Sequence, residues 1–232
     1  GLALGSRPHV VFLDADDRLT PNALRDGLEA LAGRPEAACA IGLCCIIGPD
    51  GRPQPYRQQG PVEGDPYEAL LRENFVWMPA QAIYRREALT RSGGFDPSIP
   101  AAADYDLYLR LARQFPVALH RAIVAEYRMH GQNMSGNPVL MLQSTLAVLE
   151  RQWPHARRTA AHRAAYAAGN RFWRQFYGDR IVEQIREQLR VEGWGRRVAF
   201  TAMRLFRYNP RAVFLHLSRK VRNKVMSART DA

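Results

Sequence analysis

The chain has 232 residues, 47% of them hydrophobic and 24% charged, and a net charge of +11. This is enough for one sizeable core, or for one domain with an appendage. The absence of any apolar run of 18 residues argues against a membrane-spanning helix, and the opening GLAL lacks the charged-then-apolar form of a signal peptide.

The charge is unevenly placed. Residues 1–150 carry 14 Lys+Arg against 17 Asp+Glu, whereas residues 151–232 carry 19 against 5. A mildly acidic first part is therefore followed by a strongly basic tail, the usual sign of two functional zones. Cys39, Cys44 and Cys45 are odd in number and lack metal-site spacing, so they read as small buried hydrophobes of a reducing cytoplasm. The start at Gly1 reads as that of an internal fragment.

In chain order, His9–Leu13 predicts a buried strand, followed at once by Asp14, Asp16 and Asp17. Thr20 and Pro21 suit the N-cap and first position of a helix carrying Leu24, Leu28 and Leu31 and ending at Gly33. Ala38–Ile47 predicts a second strand, Pro49–Arg52 a turn, and residues 53–65 a surface loop. A short helix over Tyr67–Glu73, a strand over Ala80–Tyr84 and a helix over Arg85–Arg91 follow, the last stopped by Gly93-Gly94. DYDLYLRLARQF predicts a helix with Asp104 and Asp106 in its first turn, and Val117–Leu119 and Ile123–Tyr127 predict short strands. From Pro138 onward the pattern is helical, with Ile181, Ile185 and Leu189 on one face and a further amphipathic pair broken at Pro210. Alternating strand and helix through the first 130 residues predicts an α/β sheet domain with an α-helical C-terminal extension.

Three carboxylates crowded at a strand end repel one another and call for a cation or water. Hard divalent cations take oxygen ligands, and Mg²⁺ commonly uses one or two carboxylates together with substrate phosphates. A metal–diphosphate site is one reading of Asp14, Asp16 and Asp17; helix capping or an acidic surface turn is the other. A haloacid-dehalogenase-type phosphatase also opens on a strand and Asp-x-Asp. It continues Gly-Thr-Leu, however, and needs a downstream Lys. Here the continuation is Asp17-Arg18-Leu19 and the first Lys is Lys220, so that reading fails.

VVFLDADDRLTPNAL resembles the Asp-x-Asp segment of glycosyltransferase family 2, enzymes of the GT-A fold. Three further landmarks follow in order. RREALTRSGGFDPSI is similar to the family's Gly-Gly-Phe-Asp stretch, AADYDLYLRLARQFPV to its Glu-Asp-x-Asp-Leu-x-x-Arg helix, and EYRMHGQNMS to its Tyr-Arg-x-His segment with a nearby Ser135. The match spans about 125 residues and leaves the chain beyond about residue 150 uncovered.

The resemblance implies an inverting, metal-dependent transfer of sugar from a nucleotide-sugar donor to a hydroxyl acceptor, which is a glycan, a lipid-linked glycan or a polysaccharide. It implies Asp104 as general base, Asp14, Asp16 and His130 as ligands of Mg²⁺ or Mn²⁺, and Asp14 and Asp17 against the donor's ribose and diphosphate. Gly93, Gly94, Phe95 and Asp96 would form a loop beside the sugar, with Asp106 and Arg128 also on substrate. A lone His130 is equally read as structural, Gly93-Gly94 as a helix cap and turn, and Asp106 as a helix-dipole acid.

The sequence departs from the family in two places. Ala103 stands where the family often has Glu, and the family's first strand and base-recognising acids are missing. Residues 1–137 therefore read as the later part of a GT-A domain and residues 138–232 as a basic helical extension. Residues 1–232 alone are expected to turn over little. A catalytically silent GT-A-like binding module is the rival.

The basic tail, with Trp194, Phe200, Phe206, Phe214 and Leu215 interspersed, reads as a packed extension with a solvated Arg face or as an anionic-membrane surface. The latter would place the protein at the cytoplasmic face of the plasma membrane. Nucleic acid is not expected, because no motif for it appears.

Overall fold

The computed structural model describes residues 2, 5–55, 63–131 and 136–209. Five strands form one mixed sheet: β1 (His9–Val10), β2 (Arg18–Leu19), β3 (Cys39–Ile47), β4 (Ala82–Arg85) and β5 (Val117–Arg128). Their order is β1-β4-β3-β5-β2. All pairs are antiparallel except β3 and β5, which run side by side in the same direction. The helices are α1 (Ala23–Ala32), α2 (Pro66–Arg72), α3 (Arg86–Ser92), α4 (Ala103–Gln114), α5 (Pro138–Ala156), α6 (Ala160–Val191) and α7 (Arg196–Tyr208).

Strand side chains alternate between faces, and the two faces build two different layers. Cys39, Ile41, Ala82, Tyr84 and Val117 enter the main core, with Leu71, Leu107 and Leu111. Their neighbours Ala40, Ile83 and Ala118 point the other way, onto Leu31 of α1. Each fully buried Leu or Ile contributes about 1.5–3 kcal/mol, so the larger layer dominates stability.

Several elements differ from the sequence expectation. Only His9 and Val10 of the first segment join the ladder, and both are half-buried. α1 starts at Ala23, with Asn22 rather than Thr20 at its N-cap. The Thr20 hydroxyl instead donates to the Ile123 carbonyl at 2.8 Å and pins the end of β2. Leu24 and Leu28 face solvent, and α1 meets the sheet through Ala23, Gly27 and Leu31. A Cβ on Gly27 would lie 2.7 Å from Ile83 Cγ2, so small residues at i and i+4 set how closely α1 approaches. The two short strands near residue 120 are one strand, β5, with register shifts opposite Gly42. Gly42 leaves room there for His120 and the Ala122 carbonyl.

The later helices pack on the same main core. Leu142, Leu146 and Leu149 of α5 and Trp173, Tyr177 and Ile181 of α6 are all buried in it. Thr159 caps α6 by accepting from the His162 amide, and the 32 residues of this helix span ~48 Å. It crosses α2 in close contact, since a Cβ on Gly169 would lie 1.9 Å from the Leu71 carbonyl oxygen. α7 buries Val198, Thr201 and Leu205, and Arg174 and Asn209 tie its end back to α6. Ser135, Pro210, Phe214, Leu215 and Lys220 lie outside the described residues.

Candidate active site

The Asp14–Asp17 turn lies against the carboxyl ends of β3 and β5, where ligand sites form in α/β sheets. The Asp17 amide donates to the Asp14 carbonyl and closes the turn. The three carboxylates then part company. Asp17 turns inward, is 7% exposed, and accepts from the Arg128 amide at 2.8 Å. Burial raises its pKa, partly offset by that hydrogen bond. Asp16 is half-buried and its Oδ2 lies 2.8 Å from His130 Nε2, which holds the carboxyl below its usual range. Asp14 is exposed.

Arg128 fastens this turn to the sheet. Its Nε donates to the Asp16 carbonyl, and its Nη1 donates to the carbonyls of Gly48 and Pro49. Asp17 and Arg128, expected on substrate, are engaged in these contacts, which hold the turn that carries Asp16 against the sheet. A residue one position from the visible motif does the structural task, and no spacing rule distinguishes the two.

α4 carries the other half of the site. Its N-cap, Ala102, has φ 62° and ψ 28°, a left-handed conformation that non-glycine residues seldom adopt. This bend delivers Asp104 to a cavity of about 720 Å³, whose wall also holds His130, Trp77, Tyr127, Trp173 and Phe176. The Asp104 Oδ1 accepts from the Tyr105 amide at 2.8 Å. Among the described residues no cationic side chain pairs with it. Burial among aromatic side chains pushes its pKa up to about 6, and the negative charge of Asp14 adds to the rise.

Asp106, two residues on, has the opposite surroundings. It is 2% exposed and its Oδ2 accepts from Arg110 Nε at 2.7 Å. Arg110 then donates to the carbonyls of Ser92 and Gly94. That brace holds the Gly93–Asp96 loop, where Gly93 (φ 82°) ends α3 and Gly94 (φ 63°) continues the turn. Phe95 packs edge-on against Phe12 at 4.8 Å. Asp96 accepts from the Ser98 amide and from Arg151 Nη1, and the Ser98 hydroxyl, Arg151 and that amide, in this order, hold its carboxyl well below the usual range.

Gly93, Gly94, Phe95, Asp96 and Asp106 all line a second cleft of about 440 Å³, together with Arg113 and His155. The structure thus gathers His130 and Asp104 around one cavity, with Asp16 bonded to His130, and places the glycine loop on another. The sequence reading missed Ala102, Arg110 and the aromatic wall of α6. A usable signal for the wall was present in RFWRQFY, two aromatic pairs spaced one helical turn apart.

Among the described residues no group of three or more His, Cys, Asp or Glu gathers closely enough to hold an ion. What remains is Asp16 with His130, and exposed Asp14 nearby. That donor set fits a cation only in the mode where substrate phosphates complete the shell. Cys39 and Cys44 are buried with thiols pushed up to about 12, which leaves them inert as ligands or nucleophiles.

The architecture is a mixed sheet with helices on both faces and acidic residues at the carboxyl ends of its strands. The chain shares that fold with S. aureus TarS. Against TarS residues 1–349 the identity is 12% and the TM-score 0.52, over 91% of this chain and 59% of that one. A second TarS structure aligns at 14% identity and TM-score 0.47, over 76% of this chain and 29% of that one. A TarS 1–349 complex with UDP aligns at 16% identity and TM-score 0.42, over 62% and 43%. The chain thus spans about three-fifths of the 1–349 structure. No protein-family model matches it, and no curated protein does. No described helix is long and apolar enough to cross a membrane.

Proposed function

We propose that this chain carries the base-and-acceptor side of an inverting glycosyltransferase site, in which sugar passes from a nucleotide-sugar donor to an acceptor hydroxyl. The observation that carries the reading is Asp104, a carboxyl raised to about 6 inside a cavity that it shares with His130. General bases work best with a pKa near the operating pH. Above about pH 6 the Asp104 carboxylate is ionised and accepts the acceptor hydroxyl proton as the oxygen attacks. Attack on the face opposite the leaving diphosphate inverts the sugar carbon.

Asp16 and His130, with Asp14 beside them, would hold Mg²⁺ or Mn²⁺ on the donor diphosphate, and the metal supplies charge compensation for the leaving group. Asp17 and Arg128 hold the turn that carries Asp16 against the sheet, and Asp106 with Arg110 holds the glycine loop. The test is the full-length protein with Mn²⁺ and a panel of nucleotide sugars, comparing wild type with Asp104→Asn and Asp16→Asn. Donor-dependent transfer by wild type, lost in both variants, is the expected result. A wild type that binds donor and never consumes it would make this a binding module, the reading that Ala103 favours.

The reading extends to the basic end. Phe200, Met203 and Phe206 of α7 are exposed, Trp194 precedes them, and Arg196, Arg204 and Arg207 lie among them. Apolar side chains bordered by cations support a peripheral seat on anionic lipid, where each cation contributes about 1 kcal/mol.

A further inference from the structure

The cleft of about 440 Å³ beside the glycine loop has no part in the proton-transfer step, and its charges do not cancel. Three arginines, Arg110, Arg113 and Arg151, line it against two aspartates, Asp96 and Asp106. Arg110 is engaged by Asp106 at 2.7 Å and Arg151 by Asp96 at 2.6 Å. Arg113, near the end of α4, is left over. It is half-buried, and among the described residues no carboxylate or carbonyl meets its guanidinium.

His155 of α5 faces the same space, also half-buried, and among the described residues its ring makes no hydrogen bond. Partial burial, and then the charges of Arg113 and Arg158, hold its pKa below the usual value. Cations thus converge from two helices with no anion between them. Gln152 lies alongside, 2% exposed, with its Oε1 taken by the Tyr67 hydroxyl at 3.2 Å. What that amide has left to offer is N–H.

Like charges brought together while partly desolvated raise the free energy of the empty cleft, and an anion lowers it. The donors left over are a guanidinium fork, an imidazole N–H and an amide N–H. A carboxylate matches one arginine fork, as Asp106 does on Arg110. A phosphate has oxygens for several separate donors, and the planar guanidinium is the side chain best matched to it.

We propose that this cleft is a phosphate-binding site, with a phosphate group seated between Arg113 of α4 and His155 of α5 and against Gln152. It stands apart from the donor diphosphate position at Asp16 and His130, and it does not depend on the transferase reading.

The test is phosphorus NMR on the full chain with methyl phosphate and dimethyl phosphate as probes, in chelator so that no metal–phosphate site forms. At low salt at least one probe should broaden saturably, and the tighter of the two tells a terminal phosphate from a phosphodiester. Affinity should fall about tenfold in Arg113→Gln and about threefold in His155→Leu, and hold in Arg204→Gln, a cation of α7 outside the cleft. Should Arg113→Gln fail to fold, Arg113→Lys keeps the charge without the fork and should weaken binding about threefold. Acetate at equal concentration should leave the probe bound. The proposal is overturned if neither probe binds saturably, if acetate displaces the probe, or if the Arg113 and His155 variants bind as wild type. An equal loss in Arg204→Gln would overturn it too. Nucleotide-sugar transfer, measured separately, reports on the transferase reading alone: transfer without phosphate binding removes this site and keeps that reading.

Discussion

α4 separates two cavities whose carboxylates have been treated in opposite ways. On the Gly93–Asp96 side every acid has a partner: Asp106 has Arg110, and Asp96 has Arg151 and Ser98. On the other side Asp104 is half-buried in a largely aromatic cavity, no cationic side chain pairs with it among the described residues, and its pKa rises to about 6. Two aspartates two positions apart on the same helix turn thus become a structural brace and a titrating group. Environment, and not residue type, divides the work.

The comparison is broken most severely by exchanging the charges. Asp104→Asn should lower transfer by a factor on the order of 100 to 10,000, measured as kcat at saturating acceptor, because the proton then has no base. Asp106→Asn should act on stability, removing about 3 kcal/mol in urea unfolding, since Arg110 would stay largely buried without its counter-charge. Equal loss of stability in both variants would erase the distinction. A packing change away from both cavities comes next. Gly169→Ala should destabilise by about 1–3 kcal/mol in the same assay, because α6 must move off the Leu71 carbonyl.

Asp104 makes an opposite, smaller contribution to folding. Its native pKa lies above the unfolded value near 3.9, so the fold favours the protonated form. Stability falls as pH rises through roughly 4 to 6, and above that window Asp104→Asn should be more stable than wild type by about 1–3 kcal/mol. At pH 4 the gain should vanish, which thermal melts at pH 4 and pH 8 will register. The mildest expected effect is at the basic end. Phe200→Glu with Phe206→Glu should weaken sedimentation with anionic vesicles several-fold at low salt without altering transfer in detergent.

Much of the fold was legible because its strands and helices obey simple periods. β3, α2, α3 and α4 lie within a residue or so of where alternation, Pro, Gly and acidic first turns place them. The face that α1 presents was not legible, since Leu24 and Leu28 outrank Ala23 and Gly27 in hydrophobicity while close approach selects the small pair. The single strand β5 was hidden by His120-Arg121-Ala122, whose irregular register is accommodated by Gly42 across the ladder.

For the candidate site, the sequence placed Asp14, Asp16, Asp104 and His130 in landmarks far apart along the chain, but not the contacts their neighbours make. Asp17, Arg128 and Asp106 resemble ligand groups in the sequence, and only the tertiary fold shows that backbone amides, carbonyls and Arg110 occupy them. The α6 wall lies about 70 residues from Asp104 in sequence, so no local pattern connects the two.

The central claim is that Asp104 is the group whose ionisation limits transfer, and the pH profile of kcat/KM in the full-length protein tests it most directly. The account predicts a rising limb centred near pH 6, with the limb and nearly all of the rate absent in Asp104→Asn. A profile flat from pH 5 to 8, or the same limb at an undiminished rate in the variant, would contradict it.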